Sequence, residues 1–337
     1  MDIVLIPAYE PDSQLIRVVE ELFQYGFKIV VVNDGSGQNY IDIFEAISSK
    51  ADIVTLKMNS GKGAALKAGM LYIRDNLPEC KHFITCDADG QHRPEDVVRV
   101  KEQLHLGKKF VLTVRQRKGK IPLRSKVGND MSRFVYALLT NRYLSDNQSG
   151  LRGFERSNLD WMINVEKNNY DYEMNVLYYA AKMGLKISTI PIDAIYIENN
   201  ASSHFHPIGD TVKIYKSLFS LARGTFIAFG VAELFMLIAS FIFPTYHMVP
   251  LAGAISLGIR LLLDNMFFKN IPRYDYLTNL GYTIISYFVY MLMCALFGFI
   301  LPNASLFIIF NIAYLICMPL RFFLHQLIFI SSIQREE

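Results

Sequence analysis

The chain opens on a run of apolar residues, "IVLI" at 3–6, that closes in "PAYE". The next stretch, "LIRVVEELFQYG", repeats apolar residues at helical spacing and stops at Gly26. "KIVVVNDGS" reads as a second buried strand ending in Asn33-Asp34-Gly35-Ser36. "ADIVTLKMNSGKGAALKAGMLYI" supplies a short strand, a Gly-Lys-Gly turn and a helix starting near Ala64, and "HFITCDADG" supplies the next strand. Pro94, Glu95 and Asp96 carry the chemistry of a helix start, and "YEMNVLYYAAKMG" is amphipathic at helical period. Strands alternating with helices predict an α/β domain with a Rossmann-like, mostly parallel sheet covered on both faces. In such sheets ligands collect beyond the carboxyl ends of the strands, and each polar cluster here falls at such an end.

From residue 225 onward this rhythm disappears. Four apolar segments, 225–243, 247–263, 280–301 and 305–324, are each about 17 to 22 residues long, the length of a bilayer crossing. Lys213, Lys216 and Arg223 precede the first, Lys269 and Arg273 lie in the central loop, and Arg335 lies in the tail. The links after the first and third segments carry no Lys or Arg. By the positive-inside rule both ends of the chain are then cytoplasmic. The N-terminal "MDIVLIPAYEPD" lacks the basic region and cleavage site of a signal peptide, which places the first domain in the cytoplasm as well. The expected organisation is a cytoplasmic domain over 1–203, an interfacial helix over 204–223 and a four-helix membrane domain over 224–337. That describes an integral protein of a prokaryotic plasma membrane. Glu233, midway along the first span, is either an interior functional carboxylate or a hydrogen-bonded helix contact.

Composition changes this picture little. The 337 residues are 52% hydrophobic with a formal net charge of +3, and no basic stripe with interleaved aromatics points to nucleic acid. Cys80, Cys86, Cys294 and Cys317 show no metal-ligand spacing and imply no disulfide framework.

The chemistry concentrates in "CDADGQH". Asp87 and Asp89 bring two carboxylates to the mouth of a buried strand, where they repel and lose hydration unless a cation or donors compensate. A polar turn entering the next helix is the plain alternative. A dinucleotide fingerprint is missing after the first strand, where Pro7, Ala8 and Tyr9 stand, and Gly61-Lys62-Gly63 lacks the spacing of a P-loop.

Taken in order, "IPAYE", "VVNDGS", "NSGKGAALKAG", "CDADGQH", "DNQSGLRGF" and "YDYEMNVLYYAAKMG" resemble the successive motifs of glycosyltransferase family 2. More narrowly they resemble polyprenyl-phosphate hexose synthases of the dolichyl-phosphate mannose synthase type. The resemblance covers about residues 3–220. "ISLGIRLLLDNMFFK" and "LRFFLHQLIFI" resemble segments of GtrA-like four-helix membrane domains. The resemblance implies a GT-A fold, a UDP- or GDP-linked sugar donor, Mg²⁺ or Mn²⁺, and inverting transfer of one hexose to a polyprenyl phosphate.

Residue by residue, it makes Asp87, Asp89 and Gln91 the metal holders, Asp89 being catalytic through the metal. Ala88 lies with them against the donor, and Asp34 matches the aspartate that contacts base or ribose, with an Asx-turn or helix cap as the plain alternative. Pro7, Tyr9 and Glu10 wall the nucleoside pocket. Gly61, with Gly63, lets backbone approach the ligand and Lys62 meets a carboxylate or phosphate, with a plain helix-entry turn as the alternative. On the acceptor side, Arg115 at a strand end and Arg124 before the next helix suit a phosphate, with Arg124 also a catalytic candidate. A basic face toward anionic lipid is the alternative. Asp146 is a further catalytic candidate, since many inverting glycosyltransferases use a carboxylate to deprotonate an acceptor hydroxyl. A phosphate acceptor is already ionised, so Asp146 either orients a substrate or holds structure. Glu173 is a candidate orienting residue. Ser203 and His204, in a "SSHF" stretch like that of bacterial members, either bind the lipid phosphate or belong to the interfacial helix.

Two rivals stand: a different lipid acceptor, and a glycolipid translocase whose soluble domain only binds sugar. A homo-oligomer is compatible with either. The sequence names neither sugar nor nucleotide.

Overall fold

The computed structural model describes residues 1–116, 132–137, 142–194 and 276–305, together with 307–313 and isolated positions from 140 to 316. The chain divides into two compact units: Met1–Arg133, Leu144–Ala181 and Leu185–Ser217 form the first, and Phe134–Tyr143, Lys182–Gly184 and Leu218–Glu337 the second.

The first unit is built on a seven-stranded sheet of order β3-β2-β1-β4-β6-β5-β7. The strands are β1 (Asp2–Ala8), β2 (Lys28–Asn33), β3 (Ala51–Thr55), β4 (His82–Thr85), β5 (Phe110–Gln116), β6 (Arg152–Glu155) and β7 (Ser188–Asp193). All neighbours pair in parallel except β6, which runs antiparallel to both β4 and β5. Its helices are α1 (Gln14–Gln24), α2 (Ile41–Ile47), α3 (Lys62–Asn76), α4 (Pro94–His105), α5 (Leu159–Ile163) and α6 (Asp171–Lys182). This is the mostly parallel α/β architecture that the alternating pattern predicts.

Its strands read as unbroken apolar runs because both faces are covered. Val4 and Ile6 of β1 and Ile29 and Val31 of β2 pack with Leu15, Val18 and Leu22 of α1 and with Val97 and Val100 of α4. Leu5 and Val32 point the other way, where a Cβ on Gly69 of α3 would stand 2.2 and 2.9 Å from them. Glycine there lets α3 lie directly on the sheet. Across β4, β6 and β5, Phe154 stacks between Phe83 and Phe110 at 5.1 and 4.5 Å, so register is fixed by aromatic pairs as well as by the ladder.

Two boundaries carry information. Gly26, at φ +76°, releases the chain after α1, where the periodicity stops. Helix α3 starts at Lys62, two residues before the expected Ala64, because Gly61 at φ +95° makes the turn itself.

In the second unit α7 spans Tyr276–Ile300, 25 residues without a charged side chain. It begins within the polar link expected before residue 280. Counting only residues whose side chains are described, no helix is long and apolar enough to cross a membrane. After a turn at 301–304, Ser305 Oγ accepts from the Ile308 amide at 3.3 Å and the chain is helical again over 307–313. Cys294 of α7 is buried with Ile309, Phe310 and Ala313, and Tyr290 donates its hydroxyl to the Phe310 carbonyl at 3.2 Å. The third and fourth apolar segments thus pack on one another here. The first two segments, Glu233 and the basic residues of the loops fall largely outside the described residues.

Candidate active site

The polar clusters gather where β1, β2 and β4 end. After β4 the chain turns through Asp87 to His92, with Gly90 at φ +72° and the Gln91 amide donating to Asp89 Oδ1 at 3.0 Å. Lys62, the first residue of α3, lies between two acids, its Nζ 2.7 Å from Asp87 Oδ1 and 2.8 Å from Glu173 Oε2 on α6. His92 Nε2 lies 3.3 Å from Asp87 Oδ2, and its Nδ1 is buried without a hydrogen-bond partner.

Charge is unevenly divided between the two aspartates. Burial alone raises the Asp87 carboxyl, but the Lys62 ammonium and then His92 outweigh it and hold Asp87 well below the usual carboxylate range. Asp89 is pushed up, first by burial and then by the charge of Asp87. A second ionised carboxylate here therefore needs more positive charge than Lys62 supplies. Two carboxylates and the Gln91 side-chain oxygen would supply an all-oxygen donor set, the chemistry that fits a hard divalent cation. Lys62 is half-buried, yet its two acid partners raise its pKa and keep it charged.

Neighbouring backbone fixes this cluster. A Cβ on Gly150 would stand 2.3 Å from Asp87 Oδ2, so only glycine leaves room for the carboxylate. Thr85 donates its hydroxyl to the Gly150 carbonyl at 2.8 Å, tying that loop to the end of β4. Arg152, buried on β6, donates to the carbonyls of Ser149 and Glu173 at 2.8 and 2.7 Å and so anchors the start of α6.

Asp34 follows β2 and is buried, its two oxygens accepting from the Ser60 and Gly61 amides at 2.8 and 2.9 Å. Burial raises its pKa, and the two amides work against that rise. Asp34 thus holds the turn that delivers Lys62. The space beside Gly61 and Gly63 is taken by protein: added Cβ atoms would stand 2.4 Å from Asn169 Oδ1 and from Tyr172 Cβ. These glycines admit the 168–172 segment, which accounts for them without a ligand.

Pro7 lies on β1 paired with Val32, and Ala88 packs partly buried against the core. Tyr9 is half-buried, and Glu10 sits at φ +46° with its amide donating to Ser36 Oγ at 2.9 Å.

At the end of β5, Asp146 is buried and fully engaged. Arg115 Nε and Nη2 donate to Oδ2 and Oδ1 at 2.7 and 3.1 Å, and the amides of Arg115 and Gln148 add two more bonds. Burial raises Asp146, but the guanidinium beside it outweighs this and lowers its pKa. A carboxylate so occupied is a poor proton acceptor. Arg124, Ser203 and His204 lie outside the described residues.

Sequence reasoning did not single out His92 or Gly150 as site residues. His92 stood inside the quoted "CDADGQH", and Gly150 within "DNQSGLRGF".

The family model "Glycosyl transferase family 2" matches residues 3–161. A protein of Methanocaldococcus jannaschii is 30% identical over 71% of this chain and 92% of its own length. The chain belongs to glycosyl transferase family 2. It is a glycosyltransferase. The UDP-N-acetylglucosamine–dolichyl-phosphate N-acetylglucosaminyltransferase of Methanococcus voltae is 28% identical over 67% of this chain and 90% of that protein. A dolichyl-phosphate beta-glucosyltransferase of Trichomonas vaginalis is 24% identical over 56% of this chain and 64% of that one. The fold is also that of glucosyl-3-phosphoglycerate synthase from Mycobacterium tuberculosis, solved with Mn²⁺ and UDP, at a TM-score of 0.50 and 16% identity over 65% of this chain and 79% of that one.

Proposed function

We propose that this glycosyltransferase moves one hexose from a UDP- or GDP-linked donor to a polyprenyl phosphate, with inversion at the anomeric carbon. The observation that carries the reading is the closed Asp146–Arg115 pair, which leaves no ready base at the position where an alcohol acceptor needs one. A phosphate monoester arrives ionised and attacks without losing a proton. The named relatives from Methanococcus voltae and Trichomonas vaginalis, which act with dolichyl phosphate, support the same acceptor class.

Asp87, Asp89 and Gln91 are the residues that would hold Mg²⁺ or Mn²⁺, and the cation supplies Lewis-acid stabilisation of the departing diphosphate. Lys62 keeps Asp87 ionised and in place, while Glu173 and Arg152 hold Lys62 and α6. Asp34 fixes the turn before α3 and offers its remaining lone pairs to the nucleoside. Pro7, Tyr9, Glu10 and Ala88 wall the donor pocket. Arg115, held by Asp146, is assigned to the acceptor phosphate, and the sequence motifs add Arg124, Ser203 and His204 to that role.

The C-terminal third is assigned as a four-helix, GtrA-like membrane anchor with the catalytic unit cytoplasmic. Support comes from α7, charge-free over 25 residues, with Phe288, Leu292 and Phe299 all exposed, a surface suited to acyl chains.

The acceptor test compares polyprenyl phosphate with the matching polyprenol under one labelled donor. Label on the phosphate alone is the expected result. Equal labelling of the alcohol would show that a base is available, and would overturn the role given to Asp146.

A further inference from the structure

The opposite end of the sheet carries a cluster that the transfer reaction does not use. Asp2 and His82 are the first residues of β1 and β4 and face each other in register, and His105 is the last residue of α4. His82 Nδ1 lies 2.8 Å from Asp2 Oδ1, and His105 Nε2 lies 2.9 Å from Asp2 Oδ2. All three ligand atoms fall within 4.8 Å of one another, with the imidazole centroids 5.1 Å apart. From His82 to Asp87 the chain runs nearly extended for five residues, about 16 Å, so this cluster is separate from the Asp87–Asp89 pair.

We propose that Asp2, His82 and His105 form a second metal site, selective for Zn²⁺ or a similar imidazole-seeking transition ion, that ties the end of α4 to the starts of β1 and β4. The donor set separates the two sites. Asp87, Asp89 and Gln91 offer only oxygen, which suits Mg²⁺ or Mn²⁺, whereas two imidazoles and one carboxylate suit Zn²⁺. Zn²⁺ takes nitrogen and oxygen ligands at about 2.0–2.2 Å, so tetrahedral ligand atoms stand about 3.3 Å apart. The present contacts need to open by about half an ångström to admit the ion. His105, whose side chain is 56% exposed, has the freedom to make that adjustment. Asp2 and His82, 18% and 15% exposed, supply the fixed part of the site. Three protein ligands leave a fourth position for water. Cys80 is not in this cluster: its buried thiol donates to the His82 carbonyl at 3.4 Å.

The test uses the full chain in detergent, stripped with a chelator, equilibrated with Zn²⁺ and analysed for bound metal. Wild type is compared with His105→Gln, His82→Asn and Asp89→Asn. The expected result is that His105→Gln and His82→Asn each bind one Zn²⁺ fewer than wild type, while Asp89→Asn retains that ion. Zn²⁺ then raises the melting temperature of Asp89→Asn and not that of His105→Gln, and His105→Gln keeps wild-type sugar transfer. Should both histidine variants bind as much Zn²⁺ as wild type, the cluster is a hydrogen-bonded trio and the proposal is wrong. Loss of that same ion in Asp89→Asn would assign it to the carboxylate site and equally overturn the proposal.

Discussion

Two cations, Lys62 and Arg115, decide through their ion pairs what individual residues do in this site. Lys62 serves Asp87 and Glu173 at once, so Lys62→Met leaves two acids short of a partner. Breaking a buried pair costs about 3 kcal/mol or more. We expect the variant to melt earlier by that measure without divalent metal, and to recover much of the loss when Mn²⁺ is added. A melting curve indifferent to Mn²⁺ would separate Lys62 from the metal-holding carboxylates. Asp146 makes a sharper case. Its folded pKa lies below the ordinary value of about 3.9, so its pairing stabilises the protein above that value and is lost as pH falls through the folded pKa. Asp146→Asn should cost about 2 kcal/mol at pH 7, since Arg115 is one-third exposed and regains some hydration. The gap from wild type should close in strong acid. Denaturant melts at several pH values test this, and a gap that persists in acid contradicts it. The sequence made part of this legible. Asp87 and Asp89 are readable because they stand one residue apart and lie at a strand end. Pairings such as Lys62–Glu173 and Asp146–Arg115 join distant segments, so only the fold could identify the partners.

At the scale of elements, strands were easier to read than the segments between them. β1 and β2 are apolar on both faces, which leaves a continuous signal in sequence. β6 has four residues, one of them a buried arginine, and β7 carries a proline, so neither presents an apolar run. The glycines were visible in the sequence, but their purpose was not. Gly63 makes room for Tyr172, and a methyl group there overpacks the junction of α3 with α6. Gly63→Ala should destabilise by about 1–3 kcal/mol, read in a thermal melt, whether or not nucleotide is present. Gly150→Ala should instead act on catalysis, because its Cβ would displace the Asp87 carboxylate. Misplacing a catalytic group by about 1 Å can cost roughly a hundredfold in rate. Transfer at wild-type rate in that variant would mean that Asp87 has latitude and does not need its present position.

For the whole molecule, two units of opposite character imply a division of labour. The first has the doubly covered sheet of an α/β enzyme, while α7 of the second exposes large apolar side chains such as Ile284, Phe288, Leu292 and Phe299. The protein should stay with membranes through an alkaline carbonate wash, and release into the supernatant would contradict a spanning anchor. The central claim concerns the reaction. Its most direct test incubates detergent-purified protein with polyprenyl phosphate, Mg²⁺ or Mn²⁺ and a panel of labelled UDP- and GDP-sugars, and counts label in the lipid phase. The account predicts transfer from one donor, abolished both by a chelator and by Asp89→Ala. Nucleotide-sugar binding without any label reaching the lipid would contradict it.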